Sequence, residues 1–300
     1  MLYIAFDTCY AHPLPERHRF PMIKYELLPK QLIHEGTCIR EQFFNPKPID
    51  KNTVLRVHNP EYYKQLCALN LSKAEIRGLG FPLSEALVFR EHVIAQGTIN
   101  CAEYALKYGI AMNIAGGTHH AYSDRSEAFC MLNDQAIAAQ WLLDNGKAKK
   151  ILILDLDVHQ GNGTAAIFSN QENVFTFSMH GEKNYPFRKE KSDWDIPLAD
   201  QTGDATYLKI LSDVLSNLYQ KVKPDFVFYL CGVDVIKQDK LGRLGLSVLG
   251  CKKRDNMVLQ WCRQNALPVQ CSMGGGYVDE LSVLIEAHAN TFRLAQEIYF

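Results

Sequence analysis

The sequence predicts an α/β fold in which a central, mostly parallel β-sheet is flanked by helices. Short apolar runs rich in β-branched and aromatic residues recur along the 300-residue chain, and helical patterns separate them. This alternation is typical of parallel strands that helices cover on both faces. No linker-like segment and no internal repeat divides the chain. We therefore expect residues 1–300 to form a single domain.

Six apolar runs have the length and composition of buried strands. They cover residues 2–6, 110–115, 151–158, 173–179, 225–230 and 267–272. Each run is apolar along most of its length, as expected for a strand that is buried on both faces. A weaker run, TVLRV at 53–57, is a seventh strand candidate.

Helix-capping residues and apolar spacing predict helices between these strands. A cap at Asn59 predicts a helix over residues 60–70, with proline at its first position. Either Asn133 or Asp134 could cap a second helix, which runs to Asn145 and is followed by Gly146. Apolar residues recur every three or four positions over 204–222, which predicts a third helix with one buried face.

Composition and charge argue against several classes of protein. The 32 basic and 33 acidic residues leave a net charge of −1, whereas direct nucleic-acid binding requires a clustered excess of Lys and Arg. No apolar run approaches the ~20 residues that span a bilayer. The first ten residues lack a basic region and a small-residue cleavage site, so we expect no secretory signal. The nine scattered cysteines form no C-x-x-C pair. We therefore expect reduced thiols and a cytoplasmic protein.

Polar side chains follow four of the predicted strands, at the point where each strand ends. Ligands of open α/β sheets bind beyond the carboxyl ends of the strands, so we expect these side chains to share one crevice. In chain order they are His119 and His120, then Asp155, Asp157 and His159, then Asp234, and finally Tyr277.

The segment DLDVH at 155–159 is the candidate metal site. Side chains alternate along a strand, so Asp155, Asp157 and His159 point to the same side. Hydrolytic zinc sites commonly use three His, Asp or Glu ligands and keep one position open. Three ionisable groups would be costly to bury without a partner. Asp234 is the candidate for the third ligand, and Asp239 is the alternative.

Two glycine-rich segments present the remaining candidate groups. His119 and His120 follow a Gly-Gly turn, and imidazoles suit proton transfer near neutral pH. Tyr277 follows three consecutive glycines. That segment lacks the Lys-Ser/Thr pair of a phosphate-binding loop and the spacing of a dinucleotide-binding motif. Presentation of the Tyr277 phenol is therefore favoured over nucleotide binding.

Taken together, five segments resemble those of the zinc-dependent histone deacetylases, in the same order and at similar separations. The resemblance covers nearly the whole chain, and the QGNG ending of the third segment is most similar to the class IV branch and its bacterial relatives. It implies the arginase/deacetylase fold, a three-layer α/β domain with the metal at the strand ends. The segments are GGTHHA (116–121), AFCMLND (128–134), DLDVHQGNG (155–163), GVD (232–234) and GGGY (274–277).

The resemblance implies two cation sites. Asp157, His159 and Asp234 would bind zinc, and iron(II) is an alternative because such sites select metals by geometry and availability as well as affinity. A monovalent cation such as potassium would bind beside the same strand end. Its site would be lined by Asp155, Asp157, His159, Ser178 and Met179.

The resemblance also implies the catalytic and substrate-binding residues. His119, His120 and Tyr277 would be catalytic, with Asp155 supporting His119. Asn162 stands where many family members have an aspartate, and its neutral amide would orient His120 without favouring the protonated imidazole. The substrate channel would be lined by Gly117, Phe129, Tyr185 and Gly275.

The expected function is metal-dependent hydrolysis of an N-acyl-lysine amide, in which the acyl group is either acetyl or a long fatty chain. The expected partner is an acyl-lysine protein or peptide, or an acylated small amine. One alternative is an amidohydrolase that acts on acetylated polyamines. A binuclear, arginase-like hydrolase would require an aspartate where the chain has Gly161. A non-catalytic acyl-lysine-binding protein is the third alternative, and the retained Tyr277 disfavours it.

Overall fold

Eight short segments form one parallel sheet in the computed structural model, which describes residues 1–300. Every neighbouring pair of strands is parallel, in the order β2-β1-β3-β8-β7-β4-β5-β6. The strands are β1 (Tyr3–Ala5), β2 (Phe43–Phe44), β3 (Ile110–Asn113), β4 (Ile151–Asp155), β5 (Val174–Gly181), β6 (Trp194–Leu198), β7 (Phe226–Leu230) and β8 (Val269–Ser272).

Ten α-helices flank this sheet, and two single-turn 3₁₀ helices, Thr8–Tyr10 and Arg40–Gln42, precede β2. No helix has the length and hydrophobicity needed to cross a membrane. The helices are α1 (Lys24–His34), α2 (Lys51–Val54), α3 (Pro60–Cys67), α4 (Lys73–Leu79), α5 (Glu85–Tyr108), α6 (Asp134–Asp144), α7 (Asn162–Phe168), α8 (Asp204–Val222), α9 (Val248–Gln264) and α10 (Leu281–Tyr299).

All six of the strongly apolar runs form strands, but the weaker prediction at 53–57 is wrong. The Asp50 carboxylate accepts hydrogen bonds from Thr53 N (3.1 Å) and Thr53 Oγ1 (2.6 Å), and this cap begins α2. Capping therefore outweighs the β-branched composition of the run. The edge strands β2 and β6 were not predicted, since β2 has only two residues and β6 contains Pro197.

The predicted helix caps are observed. Asn59 accepts hydrogen bonds from Glu61 N and Tyr62 N at the start of α3, which ends at Cys67 and is therefore shorter than predicted. Of the two candidates for the cap of α6, Asn133 is the residue that accepts from Ala136 N, at 3.1 Å. The third predicted helix coincides with α8.

The four central strands bring the polar segments to one edge of the sheet. The pairing of β3 with β8, of β8 with β7 and of β7 with β4 aligns the residues at which these strands end. Because all the strands are parallel, the segments that follow them leave the same edge. The aligned end residues are Asn113, Ser272, Leu230 and Asp155, all of them buried.

Candidate metal and active site

Three buried side chains at this edge form a compact group of metal-ligand type. One ligand atom from each of Asp157, His159 and Asp234 lies within 4.8 Å of the other two. His159 Nδ1 is 3.1 Å from both Asp157 Oδ1 and Asp234 Oδ2. Burial and the neighbouring Asp157 carboxylate raise the pKa of Asp234 to about 7. Two carboxylates and one imidazole match the donor set of a divalent metal site, so these residues fit such an ion.

Backbone amides hold both carboxylates in place. Gly275 N donates to Asp157 Oδ2 at 2.8 Å, and Val158 N donates to Asp234 Oδ1 at 3.0 Å. Asp239, the alternative third ligand, has a different environment. Its carboxylate accepts hydrogen bonds from the backbone amides of three loop residues, including Tyr277 N at 2.6 Å. Asp239 therefore anchors the loop of Tyr277 and lies outside the group that could hold the metal.

Gly275→Ala is expected to weaken metal binding, because a methyl group at this position would collide with the Asp234 carboxylate and lie 2.8 Å from Asp157 Oδ2. Disturbing groups that support metal ligands typically costs about 10–100-fold in affinity. Competition with a chelator measures this loss. Gly203→Ala is the matched control, because its methyl group would meet no atom closer than 3.8 Å. An unchanged chelator midpoint for Gly275→Ala would contradict the prediction.

The tandem histidines lie side by side with different partners. His119 Nδ1 is 2.7 Å from Asp155 Oδ2, His120 Nδ1 is 2.6 Å from Asn162 Oδ1, and the two Nε2 atoms are 3.1 Å apart. Burial lowers the pKa of His119, but the Asp155 carboxylate more than offsets this effect and leaves that pKa raised. Burial and the neighbouring imidazoles hold the pKa of His120 well below its usual value. This shift favours the neutral form of His120, which has a free lone pair on one ring nitrogen.

Gly116 and Gly117 form the turn that brings the histidines to the site. Both have positive φ angles, 81° and 77°, which glycine adopts without strain. A methyl group on Gly117 would collide with the Leu230 side chain and lie 3.1 Å from Gly274 Cα. Asp134 Oδ1 accepts from Gly117 N at 2.9 Å and holds this turn, which explains why it does not cap α6.

Tyr277 follows β8 and faces the same group. Its ring centroid is 6.4 Å from that of His159 and 6.1 Å from that of Phe129. Burial and the nearby carboxylates of Asp234 and Asp157 raise the pKa of the phenol well above its ordinary value. Tyr277 therefore keeps its hydroxyl proton and can act as a hydrogen-bond donor.

Residues 16–292 match the family described as the histone deacetylase domain. The chain belongs to the histone deacetylase family.

Individual relatives agree with this assignment. The chain is 42% identical over 99% of its length, and 99% of the relative's, to an uncharacterised protein of Picosynechococcus sp.. It is 27% identical to histone deacetylase 2 of Arabidopsis thaliana, covering 87% of this chain and 70% of that one. The crystal structure of a deacetylase homologue from Aquifex aeolicus superimposes with a TM-score of 0.83 at 23% identity, covering 97% and 82% of the two chains. That likeness shows the arginase/deacetylase fold, and family membership identifies a metal-dependent hydrolase acting on amides.

In this deacetylase-family chain, the two expected aromatic walls lie at the mouth of the site. Phe129 and Tyr185 line a cleft of about 770 Å³ together with His120, His159 and Tyr277. The Tyr185 ring centroid is 5.1 Å from that of His120. The cleft therefore leads from the surface to the histidines and the candidate metal ligands.

Three of the five residues expected to line a monovalent-cation site lie on the adjacent strands β4 and β5. Asp155 at the end of β4 is paired with Ser178 of β5, and Met179 follows Ser178. Ser178 Oγ is 2.9 Å from His180 Nδ1. Asp157 and His159 follow β4 and are themselves members of the metal-ligand group, so the monovalent-cation site stays a prediction.

Lys24 is a site residue that the sequence did not suggest. Its buried ammonium group donates to Gly274 O (3.3 Å) and Gly276 O (3.4 Å), and it lies 5.7 Å from the centroid of the Tyr277 ring. Burial lowers the pKa of Lys24 to about 8, and the site carboxylates limit this shift. A single lysine at the start of α1 gives no signal of this contact, since the loop it holds lies some 250 residues away.

Arg254 is a second residue that the sequence did not suggest. Its buried guanidinium donates to Leu156 O (3.1 Å) and Gly232 O (2.6 Å), so it joins the segments that follow β4 and β7. Asp255 pairs with the same guanidinium at 2.8 Å. The sequence gives no distinct signal for it, because Arg254 and Asp255 follow two lysines in a charged stretch of α9.

Glu127 is the third such residue. Its Oε1 accepts from Asn162 Nδ2 at 3.0 Å and also from the Tyr185 hydroxyl. An acidic residue two positions before Phe129 is the only sequence signal, and nothing in the sequence connects it with Asn162.

Proposed function

We propose that this protein hydrolyses the amide bond of an Nε-acyl-lysine, with zinc held by Asp157, His159 and Asp234 and iron(II) as the alternative. The observation that carries the proposal is the buried group of three ligand-type side chains at the end of a cleft that also contains His120 and Tyr277. When bound, the metal would polarise the acyl carbonyl and lower the pKa of water.

The side chains around this group have complementary roles in the proposed reaction. His120 accepts a proton from the attacking water at Nε2, since Asn162 holds its Nδ1 proton. The Tyr277 hydroxyl donates a hydrogen bond to the oxygen on which negative charge develops. His120 then returns the proton to the nitrogen as the C–N bond breaks and the new C–O bond remains. His119, whose Nδ1 lies 2.7 Å from Asp155 Oδ2, gives electrostatic support beside His120.

The interior of the site favours a short acyl group. A cavity of about 40 Å³ adjoins the catalytic side chains, and its walls also include Phe20, Tyr25 and Phe81. One water molecule requires about 10–15 Å³ of such space, so the cavity has room for only a few non-hydrogen atoms. It accommodates the methyl group of an acetyl but not the tail of a fatty acyl chain.

The mouth of the cleft is positively charged. Arg19, Lys183, Lys240 and Arg243 line it against a single acidic residue, Asp200, although the whole chain carries a net charge of −1. Two of the four cations pair with carboxylates, and Arg19 and Lys183 have no ion-pair partner. Such a mouth repels polycations and attracts carboxylates. This supports a peptide substrate over an acetylated polyamine.

Turnover of matched substrates tests the proposed function. With zinc-loaded protein, we expect kcat/KM for an acetyl-lysine peptide to exceed that for the myristoyl-lysine peptide and that for an N-acetylated polyamine, each by about 10-fold or more. A preference for myristoyl-lysine would overturn the assignment of a short acyl group. A preference for the polyamine would favour the alternative amidohydrolase. If no peptide is cleaved, lysine deacylation is excluded.

Lys183→Gln is expected to reduce the preference of the enzyme for acidic peptides. The measured quantity is the selectivity, defined as kcat/KM for an acetyl-lysine peptide with Asp neighbours divided by kcat/KM for the same peptide with Lys neighbours. We expect this selectivity to fall by about 2–5-fold, which is the range for an exposed charge pair. Raising the ionic strength should reduce the same ratio. Lys209→Gln, an exposed lysine on α8 outside the cleft, is the matched control. Equal ratios for Lys183→Gln and the wild type would refute the role of the mouth charge.

A further inference from the structure

Asn162 connects His120 to a carboxylate that belongs to neither candidate cation site. Asn162 Oδ1 is 2.6 Å from His120 Nδ1, and Asn162 Nδ2 is 3.0 Å from Glu127 Oε1. Asn162 is fully buried, and the side chain of Glu127 is 21% exposed. The three side chains form a continuous line of hydrogen bonds that ends at the wall of the cleft, because the Tyr185 hydroxyl also donates to Glu127.

We propose that Glu127 is a positioning residue that fixes the amide orientation of Asn162 and, through it, the tautomer of His120. An ionised carboxylate accepts hydrogen bonds and cannot donate them, so the amino group of Asn162 must face Glu127. The amide oxygen then faces His120, where it can accept only from a protonated Nδ1. A neutral His120 consequently keeps the lone pair on Nε2. The use of that lone pair as a base rests on the proposed function.

The opposite amide orientation would favour the wrong tautomer of the His120 imidazole. With Asn162 rotated by 180°, its amino group would donate to His120 Nδ1, and the neutral ring would carry its proton on Nε2. That atom could then no longer accept a proton. In serine proteases the corresponding error in tautomer costs about 10⁴-fold in kcat. The orientation of the Asn162 amide must therefore be controlled. An aspartate hydrogen-bonded to His120 would need no such control, because both of its oxygens accept.

The uncharged Tyr122 side chain also contacts the amino group of Asn162 in this amide orientation. Its hydroxyl accepts from Asn162 Nδ2 at 3.1 Å and donates to Glu190 Oε1 at 3.1 Å. Because a hydroxyl can reverse its hydrogen-bond direction, it tolerates either face of the amide. Glu127 cannot, and for this reason we assign the choice of orientation to Glu127.

The tautomer can be measured directly, without a substrate. Zinc-loaded protein with ¹⁵N-labelled histidine gives ¹H–¹⁵N spectra in which His120→Ala identifies the His120 signals. We expect the Nδ1–H form in the wild type, whereas Glu127→Gln, whose amide can present either its oxygen or its amino group to Asn162, should show a mixture of the two forms. Glu127→Leu should show the Nε2–H form or a mixture. The same tautomer in all three proteins would overturn the proposal.

A double-mutant cycle tests the consequence for turnover. Glu127→Leu should lower kcat by about 10–100-fold, which is less than the about 10²–10⁴-fold contribution of a general base, because part of the His120 population keeps the productive tautomer. Adding Asn162→Asp should restore about 10-fold, because an aspartate can only accept from His120. In the wild-type background the same Asn162→Asp change should lower kcat by about 10-fold, because two carboxylates would face each other where Asn162 Nδ2 and Glu127 Oε1 are 3.0 Å apart.

The opposite signs of these two effects separate positioning from general damage. A merely structural role for Glu127 would give Asn162→Asp the same effect in both backgrounds, and that result would refute the proposal. Glu103→Leu, which removes an exposed acidic side chain on α5, serves as the control and should leave kcat unchanged. If the wild type cleaves no acyl-lysine peptide, the proposed function fails while the spectra still decide the role of Glu127.

Discussion

Replacing Tyr277 by phenylalanine is expected to lower kcat by about 10²-fold or more, while metal content and KM change little. Loss of one donor to a developing oxyanion typically costs about 10²–10³-fold in kcat. The backbone of the loop would remain in place, because Tyr277 N is held by Asp239 and Lys24 holds the carbonyls on either side of Gly275. Steady-state kinetics on an acetyl-lysine peptide, together with metal analysis, measure both quantities.

Tyr219→Phe is the matched control for this variant. Tyr219 lies on α8, packs against the core and lies outside the catalytic cleft. Its loss of a hydroxyl should leave kcat unchanged, so that the effect at Tyr277 can be attributed to its position. A kcat of Tyr277→Phe within a few-fold of the wild-type value would refute the role of the phenol as a hydrogen-bond donor to the oxyanion.

Asp234→Ala is expected to abolish stable metal binding and to reduce turnover by about 10³-fold or more, since metal assistance is then lost to the reaction. The change removes one of three ligand-type groups and leaves Val158 N without its acceptor. Elemental analysis after dialysis should find close to one metal ion per wild-type chain and almost none in the variant. Asp213→Ala, an exposed position on α8, should retain the ion.

Two outcomes would contradict this prediction. Two ions per wild-type chain would indicate a binuclear hydrolase of the arginase type. Full metal content in Asp234→Ala would mean that another carboxylate completes the site, for which Asp239, the alternative ligand, is the candidate.

The central sheet and the convergence of the polar segments could be predicted because local patterns encode them. Buried strands such as β4 and β7 are continuous apolar runs, and the ends of parallel strands share one edge. Asp157, His159 and Asp234 therefore come together as expected, although their roles as ligands stay a prediction. The class IV subtype and the cytoplasmic location also stay predictions.

The residues that the sequence did not reveal act through contacts between distant segments. Lys24 reaches the loop at 274–276 from the other end of the chain, and Glu127 meets Asn162 only when the fold is complete. Neither contact leaves a periodic or motif-like pattern. The short edge strand β2 could not be predicted for a similar reason. Its two residues are too few to form a strand pattern, and they are extended because they pair with β1.

The position of β8 has a consequence for folding of the chain during its synthesis on the ribosome. Strands β1 to β3 form one side of the sheet and β4 to β7 the other, and β8, the last to be synthesised, is inserted between them. The nascent chain can therefore build two separate half-sheets, but it cannot join them until Val269–Ser272 has emerged. The tandem histidines belong to the first half and the three ligand-type residues to the second. A nascent chain that has not yet exposed Val269–Ser272 therefore lacks the assembled site, even when both half-sheets are already present.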